Sequence, residues 1–120
     1  MLPTSHVRNW QEFKQLVEQL QGVVALEELD RVLFRSKVDR VEQFFRSCMI
    51  DVNSDQLDPS VVSQLQAYQT EVHKQLRLLG MDAMFLQAAY QSITAQERQR
   101  QMEARLQTLI SYCEAVLRDN

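Results

Sequence analysis

Apolar residues recur along this chain at alternating steps of three and four, in four separate stretches. That spacing keeps one helix face apolar and predicts helices packed on helices. In the first stretch Trp10, Phe13, Val17, Leu20 and Val24 follow such steps, with Val7 and Leu16 widening the stripe. Thr4 or Ser5 is placed to cap this helix. Gly22 is placed to end it, because glycine takes the left-handed conformation cheaply. The expected span runs from about residue 5 to about residue 21.

The second stretch starts near Leu26 and carries two seams. Leu26, Leu29 and Leu33 form one; Phe34, Val38, Val41, Phe45 and Cys48 form another, shifted by one residue. Such a shift means either a kink near Ser36 or a stripe that drifts around a continuous helix; no glycine or proline interrupts the seams, so one continuous helix to about Ile50 is expected. Phe44 and Met49 thicken its far end. Residues 51–58 read as a loop, and Asp58 before Pro59 is a strong helix start.

Val61, Leu65, Tyr68, Val72, Leu76 and Leu79 define the third helix, which Gly80 should end or bend. Asp82 is then placed to cap a short helix over 82–92. Met81, Met84, Phe85, Leu86, Ala88, Ala89 and Tyr90 make that segment apolar on nearly every side, so it is expected to plug one end of the molecule. An adaptable patch for a partner is the alternative reading of Met81, Met84, Phe85 and Tyr90. Thr94 and Glu97 match a capping box, which predicts a break near 92–94. Beyond it Met102, Leu106, Leu109, Cys113 and Val116 make an unbroken seam to about Leu117, flanked by Ile110.

Helices of about 20–25 residues span about 30–37 Å, and short connections make neighbours antiparallel. The expected fold is therefore all-α: an elongated antiparallel bundle of four long helices, with an extra short helix near 82–92. At 120 residues there is room for one core, so residues 1–120 are read as a single helical domain.

Composition narrows the function more than the fold. Hydrophobic residues make up 45%, which fits a folded domain. There are 13 basic and 16 acidic residues, a net charge of -3, which argues against nucleic-acid binding. No apolar run reaches membrane-spanning length, and no basic stretch followed by an apolar one opens the chain. No membrane insertion and a cytoplasmic location are expected. Cys48 and Cys113 both fall on seams, where a reduced cysteine acts as a small hydrophobe.

Candidate chemistry is sparse. The run from Asp51 through Asn53 to Asp55 opens like a calcium loop, but Gln56 and Val62 replace the glycine and glutamate that such a loop requires. His6 and His73 have no partners at metal-site or acid–base spacing and read as surface residues. With two glycines in all, no phosphate cradle or nucleophile elbow exists. No enzyme activity, cofactor or metal is expected. Arg31, Arg35 and Arg46 share one side of the second helix. Arg98, Arg100 and Arg105 crowd the start of the last, between Glu97 and Glu103. A solvated face laced with helix-spaced ion pairs is the plain reading. A docking site for an acidic partner is the sharper one, with Arg98, Arg100 and Arg105 acting together.

The opening run from Met1 to His6, the glutamine-rich helices and the closing run from Leu106 to Leu117 resemble the small cyanobacterial PatD family along the whole chain. The resemblance implies a regulator of heterocyst frequency that binds the division protein FtsZ directly and alters assembly of its filaments. It assigns no functional residue. The expected function is thus a non-enzymatic protein-binding module with FtsZ as partner. A self-associating helical scaffold is the alternative.

Overall fold

The computed structural model describes residues 2–25, 29–50 and 57–118. They form four helices: α1 Thr4–Val24, α2 Arg31–Cys48, α3 Pro59–Ala88 and α4 Ser92–Arg118. Each helix packs on two neighbours, α1 and α3 both lying between α2 and α4. The result is an all-α antiparallel bundle measuring 51 × 21 × 18 Å.

The seams read from the sequence form its core. Trp10, Phe13, Val17, Leu20 and Val24 of α1 are buried, as are Phe34, Val38, Val41 and Phe45 of α2. From α3 come Leu65, Val72, Leu76 and Leu79; from α4, Met102, Leu106, Leu109, Ile110, Cys113 and Val116. Phe13 meets Trp10 edge-on at 6.4 Å and Phe45 at 6.0 Å, pinning α1 to α2 with aromatic contacts.

The helix ends differ from expectation in instructive ways. Pro3, not Thr4 or Ser5, precedes α1, and its carbonyl accepts from the His6 and Val7 amides. Gly22 lies inside α1, with no positive φ. α2 starts at Arg31, where the Asp30 carboxylate accepts from the Leu33 amide at 3.0 Å. The one-residue shift between the two seams is therefore a helix start, not a drifting stripe. Leu29 packs on the core before the helix begins, and Leu33 is exposed. The start expected at Leu26 and the loop over 51–56 lie outside the described residues.

Pro59 does open α3, but the Asp58 side chain makes no capping bond. α3 runs through Gly80 to Ala88 without a break. The extra short helix expected over 82–92 does not form: residues 82–88 are the last two turns of α3. Asp82 caps nothing and is buried within that helix. The break falls at residues 89–91, and α4 starts at Ser92, leaving Thr94 in its first turn rather than at the cap. The three-residue link turns α3 straight back into α4.

Candidate functional site

Partner pairs along the helices show which ends meet. Arg31 of α2 reaches Leu86 and Ala89 of α3, while Asn9 of α1 reaches the Cys48 carbonyl at 3.0 Å. The start of α2, the end of α3 and the start of α4 therefore share one end of the bundle. The start of α1 and the end of α2 share the other.

At the first of these ends the apolar surface is open. Val32, Leu33, Met81, Met84, Phe85, Tyr90 and Ile93 are all exposed, Tyr90 completely and Ile93 by 66%. Among the described large hydrophobic residues only Ile50 is exposed elsewhere. The expected plug is thus not one: Leu86 and Ala83 face the core, but Met81, Met84, Phe85 and Tyr90 do not. Met81, Met84 and Phe85 lie at helix-neighbour spacing, so they make one stripe along the last turns of α3. An apolar cluster gathered at one place carries more meaning than the same residues scattered singly.

Beneath this stripe sits the charged centre of the molecule. Asp82 is 2% exposed, the one buried charged residue among those described. Arg98 donates from Nη1 to its Oδ1 at 3.1 Å, and Arg105 donates from Nε to its Oδ2. The Arg98 guanidinium also lies over the Phe85 ring, 4.7 Å from its centre. A carboxylate that accepts one hydrogen bond from each of two guanidiniums is well satisfied, and the pairing ties α3 to α4.

The arginines singled out in the sequence are accordingly split. Arg98 and Arg105, seven positions apart, come together on Asp82, whereas Arg100 points outward and is exposed. Neither Arg98 nor Arg105 makes the helix-spaced ion pair of the plain reading. Arg46 does, with Glu42. Arg31 and Arg35 both turn to α3, Arg35 donating to the Gln87 side chain at 2.9 Å.

Between α1 and α2 lies a groove of about 290 Å³, floored by Leu16, Leu20, Val41 and Phe44 and rimmed by Gln19, Lys37 and Arg40. His73 is half-buried: it stacks on Phe45 at 6.0 Å and, with Ile50, Gln66, Gln69 and Thr70, lines a shallow open groove. Cys113 is buried, and its burial pushes the thiol from an ordinary 9.0 up to about 12. Cys48, expected on a seam, is exposed, and Met49 takes the buried position instead. Among the described residues no group of three or more His, Cys, Asp or Glu is placed to hold a metal ion. Nor is any helix among them long and apolar enough to cross a membrane.

Fold and site together define a four-helix antiparallel bundle with one open apolar end. Compared with models of protein families, with curated proteins and with solved structures, the chain matches none.

Proposed function

We propose that this chain is a non-enzymatic protein-binding module that docks through its open apolar end. The observation that carries the reading is the gathering at one end of the bundle of seven of the eight exposed large apolar side chains among the described residues. Hydrophobic surface of this kind is stabilised by removal from water, which a partner supplies. The resemblance to the PatD family supplies the candidate partner, FtsZ, and the candidate role, control of filament assembly and through it of heterocyst differentiation.

Co-sedimentation with FtsZ filaments tests it. The parent chain should pellet with filaments. A Tyr90→Ser, Ile93→Ser variant should stay in solution with unchanged helix content, since both side chains are exposed. Failure of the parent to pellet where filaments form counts against FtsZ.

The same open end supports a second reading, a scaffold that self-associates. Two copies meeting end to end would bury the same side chains. A molar mass by light scattering that rises with concentration, and does not rise for the double-serine variant, would favour it.

A further inference from the structure

We infer that the apolar end recognises a peptide segment of another protein in which an aspartate or glutamate stands beside a large apolar side chain. The carboxylate would be taken by Arg98. The inference rests on the reading of that end as a protein-binding surface and adds the chemistry of the partner.

Charge balance is the first argument. Arg98 and Arg105 share the single carboxylate of Asp82, so the cluster holds one positive charge in excess. Among the described residues, Asp82 and Gln101 are the only acceptors that Arg98 meets, both through Nη1, the latter at 3.3 Å. Its remaining donors meet no acceptor among the described residues, and 34% of the side chain faces solvent. Glu97, the nearest acid in sequence, is exposed and makes no ion pair with it. A guanidinium half out of water, already oriented, binds a carboxylate at little entropic cost.

Position is the second argument. The Arg98 guanidinium lies over the ring of Phe85, a residue 43% exposed, with Met81 and Met84 in the same stripe. The cation is therefore set into an apolar surface, not a polar rim. Covering Phe85 and the methionines would withdraw water from around Arg98 and strengthen its attraction for an anion. A purely apolar segment would cover the guanidinium and leave it unpaired, which disfavours it. A basic segment would meet like charge. Only a segment carrying both an acid and a large apolar side chain satisfies both neighbours.

Selection of displayed random short peptides on the immobilised chain tests this. Affinities of the enriched peptides are then measured by fluorescence anisotropy. Enriched sequences should place Asp or Glu next to Leu, Ile, Phe, Met or Trp. Arg98→Gln should weaken them about tenfold or more, because a hydrogen bond to charge is lost. Arg98→Lys, which keeps the charge but loses the planar fork, should fall between. Arg100→Gln makes the same change in net charge outside the cluster and should matter less than about twofold. Circular dichroism and unfolding midpoints confirm that each variant is folded. Enriched peptides that lack an acid, or that bind Arg98→Gln as tightly as the parent, overturn the inference while leaving a protein-binding end intact. Peptides that bind the Tyr90→Ser, Ile93→Ser variant as well as the parent, or no enrichment at all, overturn both.

Discussion

Arg31 donates to the main-chain carbonyl of Leu86 at 2.7 Å, from a helix other than the one to which Leu86 belongs. The same nitrogen donates to the carbonyl of Ala89, also at 2.7 Å. The last carbonyls of a helix lack partners within it and carry partial negative charge. α3 has no basic residue in its own last turn, so α2 supplies the cation. Arg31→Ala should cost about 1–3 kcal/mol, read by urea denaturation, because two partly buried carbonyls lose a charged donor. Arg31→Lys should recover part of this. An unchanged midpoint would mean that water satisfies those carbonyls equally well.

Asp82→Ala removes the only acceptor shared by Arg98 and Arg105. Both arginine side chains are partly exposed, 34% and 24%, and can regain some water. The cost should fall at or below the low end for breaking a buried pair, about 2–3 kcal/mol. Asp82→Asn keeps one accepting oxygen and should cost less. Equal stabilities of parent and alanine variant would show that the pairing adds nothing net.

Gly80→Ala should stabilise the protein. Gly80 lies inside α3, in its last third, and a Cβ there would meet nothing within 4 Å. Alanine is the better helix former by about 0.8–1.0 kcal/mol. A thermal midpoint that rises is the expected result; one that falls would mean that the helix bends at this point in solution.

Gly80 and Asp82 also show why part of the fold was legible and part was not. Seams such as Met102, Leu106, Leu109, Cys113 and Val116 state their burial in their spacing, and every one is buried. A glycine followed two residues later by an aspartate looks locally like an ending and a restart. The long-range contacts decide otherwise. Leu79, Ala83 and Leu86 pack on both sides of the glycine, and the arginines that pair with the aspartate lie 16 and 23 residues further on. No local pattern carries that information. The open end was half legible: composition marked 81–90 as apolar, but which of those side chains face outward depends on α3 continuing in register. The arginine site was legible as a group of three and is built as a pair, because Arg100 lies on another side of α4.

The two cysteines should separate cleanly by reactivity. At mildly alkaline pH a thiol reagent should titrate one cysteine per native chain, the exposed Cys48, and two in denaturant. The thiolate is the reactive form, and Cys113 stays protonated in the folded state until about pH 12. The sign for stability follows. The unfolded thiol ionises near 9.0 while the folded one does not, so above that pH the unfolded state holds fewer protons and stability falls, up to about 12. Cys113→Ala should flatten this alkaline loss. An alkaline loss of the same steepness in the variant would assign it to other groups.

Asp82 has one more consequence, for how α3 and α4 are aligned. The two longest helices meet along apolar seams that repeat nearly every turn, and burial alone discriminates weakly against a slide of seven residues. Such a slide would set the carboxylate against Gln91 and Arg98 in one direction, or against Arg105 and Tyr112 in the other. Either way a buried acid keeps only one of its two cations. The observed alignment alone supplies both. A single carboxylate thus acts as a notch that fixes how far the hairpin has closed, and with it the height at which Phe85 and Tyr90 project.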